Sequence, residues 1–248
     1  MLRAVTLDFW DTLFGWDLDP AYEQRQVERL AAELSQLGEP RAEVEIRGAL
    51  QRAYEWFDRV WIGEHRTPGA AETLGVVLAT LAVSQPGEAL ARLATFFEEL
   101  VLEVQPELLP GVSRGLPQLA AHYKLALIVD TGFAPGRALR ELLRRHDLLD
   151  LFAFAYFSDE GAWSKPDRRV FASVLEELAV DAAEAVHVGD SARTDIAGAK
   201  ATGMLAVQVM GSASAEAASN ADAVIRGFDE LPAVVADLAA LHGPRRSF

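Results

Sequence analysis

The feature that most constrains this 248-residue chain is a change of pattern after Pro106. Beyond it, short apolar runs alternate with helical stretches. The runs are Leu125 to Val129, Ala153 to Phe157, Ala185 to Val188, Leu205 to Val209 and Ala223 to Ile225. Helical patterns fall between them at about 112–122, 135–147, 166–179 and 192–202. That alternation predicts a parallel α/β sheet with helices on both faces. One more run of the same kind, Ala4-Val5-Thr6-Leu7, stands alone at the front of the chain. It belongs with the later strands, so everything between is an insertion that splits the first strand from its sheet.

The insertion reads as four amphipathic helices. Ala21 to Leu37 carries a stripe of Val27, Leu30, Ala31, Leu34 and Leu37, and Gly38 stops it. Pro40 opens a second helix to about Trp61, with Ile46, Ala49, Ala53, Phe57 and Val60 inward. Thr67-Pro68 is expected to cap a third, and Ser84 to start a fourth that buries Leu93, Phe97 and Leu100. Four such helices with no strand pattern between them predict a small bundle. Tyr54, Trp56 and Trp61 are assigned to its core. Residues 14–20 read as a turn or flap, Ser212 to Asn220 as a loop with some helix, and Gly243 to Phe248 as a frayed tail.

With half the residues hydrophobic, the chain can bury one or two cores. Its net charge of -14 argues against nucleic acid and anionic membranes as partners. A phosphate-handling site would need a local cation or a metal. Without cysteine, disulfides and thiolate metal sites are excluded. No signal peptide and no membrane span is read, so the expected compartment is the cytoplasm.

Polar residues gather where the strands stop. Asp8 follows the first strand, and ligands in open α/β sheets bind beyond the carboxyl ends of strands. The second strand ends Val129-Asp130-Thr131-Gly132, and the fourth ends Val188-Gly189-Asp190-Ser191, with Asp195 five residues after Asp190. Ser164-Lys165-Pro166-Asp167 opens a helix. Asp8 and Asp190 converge if their strands are neighbours. Packed acids repel unless a cation sits among them, and oxygen ligands without His or Cys suit magnesium. A lysine beside them would hold an anionic substrate. Asp130 is either a turn acid or part of the site. His122, His146, His187 and His242 show no ligand spacing and are read as structural.

Asp8 to Leu13, then Lys165-Pro166, then Gly189-Asp190 with Asp195, resemble the first, third and fourth motifs of the haloacid dehalogenase superfamily in order and spacing. The resemblance implies a Rossmann-like α/β core over 1–15 and 108–248, with the helical bundle of 16–107 as an inserted cap. It further implies a magnesium-dependent phosphatase acting on a small phosphorylated metabolite. Asp8 would be the nucleophile and form an aspartyl-phosphate. Magnesium would be held by Asp8, the backbone carbonyl of Trp10, and Asp190, with Asp195 reaching it through water or orienting Lys165. Lys165 would offset charge on the phosphoryl group. Thr12, Asp130, Thr131 and Gly132 are assigned to substrate binding, and the cap would close over the site.

Two positions depart from the phosphatase pattern. Trp10 stands where those enzymes carry a second acid that protonates the leaving oxygen, and indole cannot do so. Asp11, one residue over, is expected to point elsewhere. The Ser or Thr that ends the second strand maps onto Val129. Two rivals follow. A haloacid dehalogenase proper also lacks the second acid, but its fourth motif resembles Ser-Ser-Asn before Asp, unlike Gly189-Asp190-Ser191. The other rival is a catalytically weak binding or regulatory protein that keeps the anion site.

Overall fold

The computed structural model describes residues 1–15, 20–84, 87–210 and 220–242. Its six strands are β1 (Ala4–Leu7), β2 (Lys124–Val129), β3 (Phe152–Phe157), β4 (Ala185–Gly189), β5 (Leu205–Val209) and β6 (Ala223–Ile225). They form one parallel sheet in the order β3-β2-β1-β4-β5-β6. The chain-first strand is therefore central, and its register pairs Leu7 with both Leu127 and Val188.

Period-two alternation explains both faces of the sheet. Val5, Leu7, Leu127, Val186 and Val188 turn one way, onto α5 (Val112–Ala120), α6 (Gly136–Arg145) and α9 (Leu231–Leu241). Ala4, Ala126, Ile128, Ala185 and Ala206 turn the other way, onto α7 (Arg168–Leu178) and α8 (Ala197–Thr202). Buried on both sides, the strands read as continuous apolar runs. Helix α9 has no counterpart in the sequence reading. It opens with Pro232 near its start and buries Leu231, Val235 and Leu238.

The four inserted helices are α1 (Pro20–Gln36), α2 (Glu43–Glu64), α3 (Ala70–Thr80) and α4 (Gly87–Val104). They enclose their own apolar cluster around Leu30, Leu34, Leu50, Leu74, Leu78 and Phe97. Each such fully buried side chain contributes roughly 1.5–3 kcal/mol. Phe133, from the loop after β2, also packs into this cluster and ties it to the sheet. The two crossings between bundle and sheet run side by side: Gly15 N donates to Glu107 O at 2.9 Å, and Leu109 N to Leu13 O at 2.9 Å.

Several boundaries differ from those expected. Helix α2 runs on to Glu64, beyond the expected end near Trp61, and it ends where His65 turns left-handed at φ 50°. Gly69, not Thr67, caps α3, and α4 starts at Gly87, beyond Ser84. Residues 192–202 divide into one wide turn, Ala192–Ile196, followed by α8. The expected flap is described only at 14–15 and 20. Most of the loop over Ser212 to Asn220, and the tail from Gly243, lie outside the described residues. No helix among the described residues is long and apolar enough to cross a membrane.

Candidate active site

The register that pairs Leu7 with Val188 brings the ends of β1 and β4 together, and Asp8 N donates to Val188 O at 2.9 Å. Carboxylate oxygens of Asp8, Asp190 and Asp195 lie within 4.8 Å of one another. Lys165 reaches them from the loop between β3 and α7. Its Nζ donates to Asp8 Oδ1 at 2.5 Å and to Asp195 Oδ1 at 2.7 Å. All of this is nearly closed to solvent: Asp8 is 6% exposed, Lys165 2% and Asp195 1%.

Local chemistry holds the lysine loop in shape. Tyr156 Oη donates to Trp163 O at 2.6 Å, and the Arg169 guanidinium lies 3.2 Å over the Trp163 ring. Lys165 N donates to Asp130 Oδ1 at 3.0 Å, and Asp167 caps α7 by accepting from Arg169 N at 2.9 Å. Gly189 is required where it stands, because a Cβ there would fall 2.3 Å from Asp195 Cγ. Asp195 Oδ2 accepts from Ser191 N at 3.1 Å.

The electrostatics show an excess of negative charge. Burial, together with Asp195 and Asp190, pushes the Asp8 carboxyl well above its ordinary range despite Lys165. Burial, then Asp195 and Asp11, raises Asp190 to about 7. Burial opposes ionisation of Asp195 too, but Lys165 and His187 outweigh it and hold that carboxyl at about 2. For Lys165, burial is outweighed by Asp195, Asp8 and Asp130, which keep the ammonium charged. One lysine does not balance three acids, and a divalent cation relieves what remains. Among the described residues, the buried hydroxyls of Thr12 and Ser164 have no hydrogen-bond partner, as ligand-facing groups would. The donor set thus fits magnesium. Asp8, Asp190 and the carbonyl of Trp10 would hold it, with Asp195 beside them.

Three expectations need correction. Val129 ends β2, but its side chain lies in the apolar cluster, and the next residue, Asp130, is the one that meets the lysine loop, accepting from Lys165 N. Asp11 stands at φ 52°, and its charge acts on Asp190. Trp61 leaves the bundle core, its Nε1 donating to Asp130 Oδ2 at 2.8 Å, and Tyr54 is exposed. His187 is more than packing, since its Nε2 meets Asp195 Oδ1 at 3.1 Å. Thr131 N donates to Ser158 Oγ at 2.8 Å, and a Cβ on Gly132 would lie 4.0 Å from Phe57 Cζ. Ser158, which also pairs with Thr67 of the bundle at 2.6 Å, was missed. Its place directly after β3 was the available signal. Trp10 packs edge-on against Phe9.

A model of the haloacid dehalogenase-like hydrolase family matches residues 2–203. The chain belongs to that family. It is 37% identical over 87 residues to haloacid dehalogenase-like hydrolase domain-containing protein 3 of Bos taurus, covering 35% of this chain and 34% of that protein. It is 35% identical over 99 residues to glyceraldehyde 3-phosphate phosphatase of Pyrococcus abyssi (strain GE5 / Orsay), covering 40% of each. These matches span well under half the length of the curated relatives. Among solved structures, a 2-haloacid dehalogenase from Pseudomonas syringae pv. Tomato DC3000 is 28% identical with a TM-score of 0.71, covering 96% of this chain and all of the other. The parallel sheet with flanking helices is the Rossmann-like fold of the family.

Proposed function

We propose that this hydrolase is a magnesium-dependent phosphatase acting on a small phosphorylated metabolite through an aspartyl-phosphate on Asp8. The observation that carries this reading is Asp8 held by Lys165 at 2.5 Å with Asp190 and Asp195 beside it. Similarity to a phosphatase of Pyrococcus abyssi supports it.

Bound among the acids, magnesium would neutralise them and polarise the phosphoryl oxygens. Lys165 donates to Asp8 Oδ1. An Asp8 oxygen attacks phosphorus, the bond from phosphorus to the leaving oxygen breaks, and that oxygen leaves with its electron pair. Lys165, already charged, balances the negative charge passing through the phosphoryl group. Water then attacks phosphorus, releasing phosphate and restoring Asp8. The site lies under the helical bundle, and Trp61, the His65 carbonyl and Thr67 clasp the loops beneath them. The bundle therefore serves as a lid that excludes water and selects substrate.

The test is a screen of aryl, alkyl and acyl phosphates with and without magnesium, with Asp8→Asn as blank. Magnesium-dependent release above the blank is expected. Calorimetric titration of Asp190→Asn should show magnesium affinity falling sharply; unchanged affinity would remove the metal assignment. The 28%-identical dehalogenase supports a second reading. Metal-independent halide release from 2-haloacids would establish it. Activity in neither assay, with metal still bound, would leave a binding or regulatory protein.

A further inference from the structure

Below Lys165 and Asp195 lies a polar chain that the reaction steps above do not use. Thr6 on β1 and His187 on β4 are register partners on adjacent strands, and both are wholly buried. They share the sheet face that carries Ala4, Ala126, Ala185 and Ala206, with Gln208 of β5 as a further buried polar group on it. Thr6 Oγ1 lies 2.8 Å from His187 Nδ1, and His187 Nε2 lies 3.1 Å from Asp195 Oδ1. The same Asp195 oxygen accepts from Lys165, which in turn donates to Asp8. Thr6 and Asp8 are two residues apart and so fall on one side of β1.

We propose that Thr6 and His187 are positioning residues: they fix the imidazole tautomer that orients Asp195, and through it aim Lys165 at Asp8. The proposal rests on the reading of Asp8 as phosphoryl acceptor. The carboxylate of Asp195 only accepts, so Nε2 carries the hydrogen. Nδ1 is then the acceptor of the Thr6 hydroxyl hydrogen. The opposite neutral tautomer would set a lone pair against the carboxylate. A doubly protonated ring would add a second positive charge beside Lys165 in apolar surroundings. The edge of Phe171, 5.1 Å from the imidazole at 89°, holds the ring plane. With His187 on Oδ1, Ser191 N on Oδ2 and Gly189 close to Cγ, Asp195 is held alongside Lys165. A pair that served only packing would be replaced more cheaply by two apolar side chains. Partners of this kind behind a working group are commonly worth about 10- to 100-fold in activity or metal affinity.

Two amide substitutions separate positioning from packing. His187→Gln carries its nitrogen near Nε2 and can still donate to Asp195. His187→Asn carries it near Nδ1, where it meets Thr6 and falls short of Asp195. With acetyl phosphate and magnesium, His187→Asn should lose about 10- to 100-fold in kcat with little change in KM, and His187→Gln should recover most of that loss. Nitrogen-15 NMR of the resting wild type should show the Nε2-protonated tautomer, and Thr6→Val should loosen that preference while Thr6→Ser keeps it. Losses that track the fall in Tm equally for both amides, or an Nδ1-protonated ring in the wild type, overturn the proposal. If the wild type hydrolyses no phosphate at all, the phosphatase reading fails by itself. The tautomer and the Lys165 Nζ position in a His187→Asn crystal structure then decide the positioning: an unmoved Nζ overturns it.

Discussion

Trp10 is the residue on which the chemistry turns. It offers a carbonyl like any residue, but no side-chain proton for a leaving oxygen. Leaving groups that are already weak bases, as in acyl or aryl phosphates, are therefore expected to be turned over far better than alkyl phosphates. Trp10→Asp should raise alkyl-phosphate turnover by about 10- to 1,000-fold if the loop accepts the change. Equal wild-type rates on one aryl and one alkyl ester would show that another group supplies the proton, and Asp11, whose charge already acts on Asp190, is the first to test. A second residue-scale prediction concerns Asp130. Burial, only partly offset by Lys165 and Trp61, raises its carboxyl from 3.8 to about 6. An acid with a raised folded pKa holds more protons folded than unfolded between those values. The stability it contributes is therefore present below pH 4 and lost as pH rises through 6. Asp130→Asn has no such slope. Urea unfolding at pH 4 and pH 7 should show the variant gaining on wild type by about 2 kcal/mol across that interval; a constant gap would mean that Asp130 titrates normally.

Among the elements, α2 matters most to the site. It was legible as an amphipathic helix, and its buried residues Ile46, Ala49, Ala53 and Val60 follow the expected stripe, whereas Phe57, also expected inward, is half-buried outside the bundle's apolar cluster. Its aromatic residues were misplaced, because Tyr54 and Trp61 have the same helical spacing whether they face the bundle or the sheet. Trp61 turns to Asp130 because a buried carboxylate oxygen needs a donor and an indole N–H needs an acceptor. Trp61→Phe keeps the ring and leaves that oxygen unpaired. A loss of about 1–3 kcal/mol at pH 7 is expected from urea unfolding. Stability unchanged within a few tenths would mean that water replaces the indole.

At the scale of the whole molecule, the two crossings set how the bundle can move. Phe14 and Leu108 bridge the outgoing and returning chain, and Gly111, at φ 89° with Asp229 against it, fixes the return. Arg137 and Arg145 of α6 also grip α4, through Glu98, Glu99 and the Leu102 carbonyl. Crystal forms with different bundle angles are expected to pivot at Phe14-Gly15 and Leu109-Pro110-Gly111, with α4 sliding along α6. A pivot within the four helices would show that the bundle is not one body.

Strand positions, the parallel class, the split first strand and the candidates Asp8, Lys165, Asp190 and Asp195 were legible in the sequence. The strands are local signals, apolar runs of strand length, and Asp8 and Asp190 stand where such runs stop; Lys165 and Asp195 were legible through the motif order that resembles the family's. Asp130 was legible only as one of two alternatives, and the assignment of Val129 was off by one residue, since only a side chain's face distinguishes the two. The roles of Thr6, His187 and Ser158 were not legible. Thr6 and His187 are 181 residues apart and meet because β1 inserts between β2 and β4. A lone polar residue inside an apolar strand shows no partner until strand order and register supply one. The sequence could determine which stretches become strands. Only the tertiary structure, by setting which strands adjoin, decided which buried polar groups touch.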